Sequence, residues 1–482
     1  MKKNLCIGLI VLVLTGSVLG FGMEDRVTTW ADFSYVLWTA SSMNHVYFVT
    51  TEGITRYNKL TYRWEDPLTG GTGLDQQDIR QLWVGEFDEP IYARTSLGSF
   101  EYDELFDRWY PVDLVPPIDN LTRHVARPTI LYVPPGFNYF SDGKIIDPHG
   151  RSFAVSDVLD DNGGTHWFGT WGLGAATAGV NTDVVEFLPY GLAQNRVNAL
   201  AMEGGQIWVG GAATGGGRTG ITRFEPATQD FTYIESGLGP DFPVRDVNCL
   251  SVFGDVLYVG TSDGLYLFDR DSQKQLGEYD RRHGLVDDNV LSLAARADSV
   301  WIGTEYGACL VLPHKDSITV AYPANLGSVI VYDIVVTQDE VWFASSQGAF
   351  RLTLDDRHLQ RLNNPEVRLI GDVYEIEATE DNLWLLGRDG VIRIQRGSGD
   401  SEYFPLFGYR VQVNALAVNQ WALAIGTDQG LSLVYLDDNR TRYEISTADG
   451  LPSNLIYSLG FDGDFLWIGS DRGLTRFNWV DL

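Results

Sequence analysis

The sequence predicts an all-β protein: a β-propeller of about ten four-stranded blades, closed by pairing of its N- and C-terminal strands. Three observations carry this prediction. A 13-residue stretch, LWIGSDRGLTRFN (466–478), recurs along the chain, its copies fall about 42 residues apart, and 52 glycines are available for tight turns. A repeat of that period marks a solenoid, a propeller or an array.

The copies read VYFVTTEGITRYN (46–58), IYARTSLGSFEYD (91–103), LYVGTSDGLYLFD (257–269), VWIGTEYGACLVL (300–312), VWFASSQGAFRLT (341–353), LWLLGRDGVIRIQ (383–395) and LAIGTDQGLSLVY (423–435). Two more, from His166 and Ile207, carry longer turns, which makes ten. Tyr258, Trp301, Trp342, Trp384, Ala424 and Trp467 share one column, with a Gly six residues after each. Eleven residues before the column an apolar strand begins, at Val197, Val247, Val290, Val331, Val373, Val413 and Ile456.

Each unit therefore reads as four strands. The first is apolar on both faces and lies deepest. The second carries the aromatic column, which fills the space between blades. A four-residue turn follows, closed by a Gly that supplies φ > 0. The third strand is GLTRF-like. The fourth is polar and aromatic, as in RYEIS (442–446), and lies outermost. Such a gradient is what a propeller blade requires. A second Gly, two residues after the column at Gly260, Gly303 and Gly469, is expected to let adjacent sheets approach.

Along the chain, residues 1–22 have a basic start, an apolar run and small residues, the pattern of an export signal. Residues 23–108 hold the first propeller blades, preceded by EDRVTTW (24–30), which resembles a fourth strand without its blade. The last copy lacks a fourth strand, since only WVDL (479–482) follows it. Pairing the two ends would remove free sheet edges. Residues 109–165 read as an irregular segment or a degenerate eleventh blade, because YFSDGKIID (139–147) resembles a blade turn. Residues 166–482 hold the remaining blades. Ten units fit one large ring or two stacked rings of about five. With the ends paired, one ring would interrupt the other.

The formal charge is −29, and −31 without Lys2 and Lys3. A surface this acidic opposes nucleic acid and anionic lipid. No apolar run after the signal is long enough to span a bilayer, so the mature chain is expected to be exported, periplasmic or extracellular. Cys249 and Cys309 lie in apolar strands and read as buried free thiols.

The motif DGLPSNLIYSLGFDGDFLWIGSDRGLTRFN (449–478), with HGLVDDNVLSLAARADSVWIGTEYG (283–307) close to it, resembles the two-component-regulator propeller repeat. That resemblance covers nearly all the mature chain. It implies a propeller with a sensing or binding role, because such repeats form extracytoplasmic sensor parts of membrane receptors. The chain departs from that layout in having no kinase or DNA-binding region.

No HExxH, GxSxG or P-loop pattern occurs, and the seven His are spread over different units. Streptogramin lyases are propellers with a related Trp column, but the acid after their aromatic strand is missing from the IGT and IGS strands. The Asp/Asn clusters at 160–164, 287–289 and 437–439 lack EF-hand spacing and read as turns. No catalytic residue, metal or cofactor is therefore expected.

The irregular places are two Gly-rich turns, TWGLGAATAGVNTD (170–183) and GGAATGGGRTG (210–220). They share a face with the connections between blades, such as 190–198, 237–246 and 450–455. Loops on a rigid scaffold carry function, so Trp171, Asn195, Arg196 and Arg218 are the expected ligand contacts, the alternative being that these loops plug the channel mouth. The reading is an exported, non-enzymatic propeller that binds a protein or glycan. Two alternatives are a docking component of an envelope or secretion assembly, and a carbohydrate-active or lyase enzyme, which an acid pair facing the channel would mark.

Overall fold

The Thr or Ser of the repeat builds its own turn. Thr261 Oγ1 donates to Gly264 O at 2.8 Å and accepts from Asp263 N at 3.1 Å. Thr304, Thr427 and Ser470 do the same toward Gly307, Gly430 and Gly473. Gly473 has φ +125°, and a Cβ there would lie 2.3 Å from the Trp30 carbonyl oxygen. Conformation and space both require Gly.

Trp208, Trp301, Trp342, Trp384 and Trp467 are all buried. The Arg of the third strand pairs directly opposite in four of these blades: Arg223 with Trp208, Arg351 with Trp342, Arg393 with Trp384 and Arg476 with Trp467. The first three guanidiniums lie 5.7–5.8 Å from the indole centroids, within cation–π reach.

The computed structural model describes residues 27–482 except 70–78, 105–107, 116–122, 162, 180, 213–217, 237–245, 298, 316, 320–328, 356, 407–410, 438–439 and 481. The expected export signal, Cys6 and the start of EDRVTTW lie outside the described residues. So do most of the loop at 237–246 and the middle of 210–220. Among the described residues ten antiparallel sheets form, nine of four strands and one of seven.

Seven sheets close into a ring. Numbered from 1 to 7, its blades span 199–235, 247–279, 290–319, 331–361, 373–405, 413–445 and 456–478. Each innermost strand packs against that of the next blade, and Ile456–Asp462 returns to Ala199–Glu203. The Gly after the column explains the close approach. Added Cβ atoms at Gly210, Gly260, Gly303, Gly426 and Gly469 would fall 2.5–2.8 Å from Val247, Val290, Val331, Ile456 and Val197 of the following blade. Blade 4 has Ala344 at this place, packed with Val373, and blade 5 has Leu386, packed with Val413.

Val27–Trp30 is the fourth strand of blade 7. It pairs with Gly473–Asn478 in the register Val27 to Phe477 and Trp30 to Leu474. Thr29 and Thr475 hydroxyls meet at 2.9 Å, and Trp30 is fully buried. The expected closure by terminal strands is therefore observed.

Between Val27–Trp30 and blade 1 the chain builds the other three sheets, spanning 36–68, 81–112 and 123–188. The first lies between the other two. The arrangement is thus seven blades plus an inserted arc of three, neither one ring of ten nor two of five. YFSDGKIID forms the hairpin of Asn138–Phe140 and Lys144–Ile146, added to the seven-stranded sheet rather than making a blade of its own. That hairpin and Arg123–His124 pair along the edge of Ser152–Asp160 opposite Thr165–Trp171. In the ring the corresponding edge faces the channel. In an open arc it would be an unpaired template, and pairing removes it.

Cys309 is buried, and burial pushes its thiol up to about 12. Cys249, in the channel wall, is raised by the same cause. Both are free. Among the described residues no helix is long and apolar enough to cross a membrane.

Candidate functional site

In blades 2–7 the innermost strand slips register at its second residue, as between Val247 and Cys249 or Val373 and Glu375. A bulged residue leaves the ladder and its side chain is re-aimed. Around the ring these residues are Asn248, Leu291, Tyr332, Tyr374, Asn414 and Tyr457; Asn198, just before Ala199, takes the matching place in blade 1, and all seven line the channel. They separate two cavities. The outer, about 860 Å³, is also lined by Arg196, Arg388 and Gln412. The inner, about 390 Å³, is lined by Ser292, Asp333, Glu375 and Glu377.

Part of this ring serves the fold. Asn248 Nδ2 donates to the Val290 carbonyl at 2.9 Å, and Asn414 Nδ2 to that of Ile456 at 3.0 Å. Each amide ties its blade to the next. The three tyrosines differ. Among the described residues their hydroxyls make no hydrogen bond, while the Tyr332 and Tyr374 rings meet edge-on at 5.4 Å. Arg196 donates to Asn198 Oδ1 at 2.9 Å and lies 4.5 Å from the Tyr457 ring centroid. Arg388 is exposed in the blade 5 turn. Neither arginine has a carboxylate partner among the described residues.

The inner acids stand in a wall that water reaches but protein surrounds. Asp333 accepts from Ile334 N at 2.8 Å and from Ile376 N of the next blade at 2.9 Å, so it staples blade 4 to blade 5. Asp157 makes the same staple in the arc, accepting from Thr39 N at 2.8 Å. Burial pushes the Asp333 carboxyl up to about 7. Burial and then Asp333 push Glu377 up to about 8, and burial with both neighbours raises Glu375. Among the described residues, Glu375 Oε2 and the Ser292 hydroxyl are buried without a hydrogen-bond partner. Among the described residues no three His, Cys, Asp or Glu side chains are grouped to hold a metal ion.

The four ligand contacts expected from sequence fall in two places. Arg196 lines the channel mouth. Trp171, Asn195 and Arg218 sit where the arc meets the ring. Asn195 Oδ1 accepts from Asp32 N at 2.7 Å, on the chain that leaves the ring. Arg218 pairs with Glu235 at 3.3 Å, and Glu235 also holds Arg151 of the arc at 2.7 Å. Trp171 is 44% exposed and packs edge-on against Tyr35 at 5.1 Å. The 170–183 segment is no long turn. Thr165–Trp171 and Ala175–Gly179 are strands joined at 172–174, where Gly172 N and Gly174 N donate to Ser34 O. Burial of Ala175, Ala176 and Ala178 holds this small-residue strand against the sheet.

The seven-residue ring and Arg388 were not singled out from sequence. For six of the ring residues the signal is an Asn or Tyr second in a stretch that otherwise reads as core, as in VNALA, VYDIV and IYSLG; Leu291 and Arg388 carry no such signal.

No family model matches the chain, and no curated protein matches it. Solved structures do. PorZ, an essential bacterial surface component of the type-IX secretion system of Porphyromonas gingivalis, aligns at TM-score 0.51 and 16% identity, over 95% of this chain and 71% of that one. The extracellular domain of BT4673 from B. thetaiotaomicron aligns at 0.48 and 15%, over 92% and 70%. Virginiamycin B lyase from Staphylococcus aureus aligns at 0.47 and 14%, over 59% of this chain and 96% of that one. At these identities the likeness is one of fold.

Proposed function

We propose that the chain is an exported, non-enzymatic binding propeller, sensor-like in role, whose ligand surface is the mouth of the seven-blade channel. The observation that carries this reading is the ring itself. Tyr332, Tyr374 and Tyr457 bring hydroxyls with no partner among the described residues, beside Arg196 and Arg388, to one outer cavity of about 860 Å³. That volume lies within the range of ligand sites. Aromatic faces and hydroxyls beside two cations suit a glycan or a protein loop better than an apolar small molecule. The propeller-repeat motif at 449–478 supports a sensing role. Titration calorimetry against oligosaccharide and peptide panels tests it. A ligand bound by the intact chain should bind at least about tenfold more weakly to a Tyr374→Ala, Tyr457→Ala variant that melts like the parent. Unchanged affinity would overturn the reading.

A second reading, a docking component of a cell-envelope or secretion assembly, is favoured by the fold likeness to PorZ. It is distinguished by co-purification from the native envelope. Stoichiometric recovery with envelope proteins, lost in the same variant, supports docking.

A further inference from the structure

We propose that the ligand of the channel mouth is an acidic saccharide, its anionic group held by Arg196 and Arg388. This rests on the mouth being the ligand surface. The chain has 64 acidic and 35 basic residues. In such a chain a cavity lined by arginines without a carboxylate partner is open to an anion. The described residues hold no such partner for Arg196 or Arg388, and both line the same outer cavity. Six arginines elsewhere are neutralised in pairs: Arg151 and Arg218 share Glu235, Arg393 and Arg440 share Glu402, and Arg351 and Arg396 share Glu340.

Charge is also ordered along the channel. Arg196 and Arg388 line only the outer cavity, whereas Asp333, Glu375 and Glu377 line only the inner one, with the neutral ring between. An anion entering from outside meets two guanidiniums first and carboxyls beyond. Its anionic group is favoured at the rim and opposed in depth, so the ligand stops at the ring. There it finds neutral groups suited to a polyhydroxylated body. The Asn248 and Asn414 amide nitrogens are engaged by the next blade, which leaves amide oxygens as acceptors for hydroxyls. The tyrosine hydroxyls can donate or accept, and their rings offer apolar faces to sugar rings. Guanidinium forks match carboxylate and sulfate alike.

The test is titration calorimetry of the full chain with oligogalacturonate, a sulfated oligosaccharide, a neutral oligogalactan and oligoglutamate. The expected result is binding of the uronate or the sulfated probe, the stronger of the two identifying the anion. Arg196→Gln with Arg388→Gln should weaken that binding by about tenfold per guanidinium. Affinity should rise as pH falls from 8.5 to 6, because the inner carboxyls become neutral, and Glu377→Gln should flatten that rise. Equal binding of the neutral oligogalactan, unaffected by the arginine variants but lost in Tyr374→Ala, Tyr457→Ala, would overturn the charge assignment and leave the mouth as the ligand surface. Oligoglutamate binding as tightly as the saccharides would overturn the saccharide class. Absence of binding by both anionic saccharides overturns the proposal outright.

Discussion

Gly469 of blade 7 faces Val197 at the entry to blade 1 so closely that a Cβ at 469 would lie 2.6 Å from Val197 Cγ1. This contact joins the last blade to the first. An added methyl forces overpacking, which costs about 1–3 kcal/mol. Gly469→Ala should lower the denaturation midpoint accordingly, and Val197→Ala in that background should recover part of the loss. Chemical denaturation of the four variants in a double-mutant cycle measures it. Additive effects would mean that the two residues do not share the seam.

The N-terminal strand should be as important as any blade strand. Trp30 is fully buried between Phe224 and Trp467, with ring centroids at 4.9 and 5.7 Å. Trp30→Ala should cost about 3–5 kcal/mol. Removing residues 27–30 altogether should also expose the edge of Gly473–Asn478, and exposed edges recruit other chains. Size-exclusion chromatography with thermal melting checks both. A truncated chain that stays monomeric and equally stable would contradict closure.

His45 couples two sheets of the arc to pH. Its Nδ1 lies 2.8 Å from Asp88 and its Nε2 3.1 Å from Glu65. Both ring nitrogens face carboxylates, so the imidazolium is favoured. Glu65, then Asp88, raise the His45 pKa above its ordinary 6.5, while His45 holds Glu65 down at about 2. A raised histidine contributes stability that is fully present below about pH 6.5 and lost as pH rises through the folded value. Melting temperature should therefore fall above neutrality in the parent more than in His45→Gln. Parallel pH profiles would refute the coupling.

The inner channel acids have the opposite consequence for design. A carboxyl raised from 4.5 to about 8, as in Glu377, costs the folded state stability as pH rises from the unfolded value to the folded one. Above pH 8 the penalty is complete. Glu377→Gln should be more stable than the parent at pH 8.5 by at least about 1 kcal/mol, and the gain should vanish near pH 4. The same variant addresses the enzyme alternative. If Glu375 and Glu377 were an acid–base pair, the substitution would abolish turnover of a saccharide; the binding account predicts the stability change and a flatter pH profile of affinity, with no turnover to lose.

The blades were legible because their signals are local. The column aromatic, the Ser/Thr–x–x–Gly turn and the third-strand Arg all act within one hairpin, and their spacing is written in the chain. Closure was legible because WVDL is too short for a fourth strand and EDRVTTW has no blade of its own. The partition into seven and three was hidden, since VYFVTTEG in the arc obeys the same hairpin rules as LYVGTSDG in the ring. One partial trace was present: the position two after the column is Val49 and Arg94 in two arc sheets, against Gly210, Gly260, Gly303, Gly426 and Gly469 in five ring blades, but the third arc sheet has Gly169 there, packed on Val36 as in the ring. The mouth was half legible. Arg196 announces itself in a connecting loop, whereas Tyr332, Tyr374 and Tyr457 look like core until the bulge turns them toward the axis.

The central claim is that the mouth of the seven-blade channel, rather than the arc–ring junction at Trp171, Asn195 and Arg218, holds the ligand. The most direct measurement is backbone hydrogen exchange of the full chain with and without the saccharide that binds. The account predicts slowed exchange at 196–198, 332, 374, 388, 412–414 and 457, with 34–35, 171–174 and 218–219 unchanged. Protection centred on the junction, with the mouth unaffected, would contradict it.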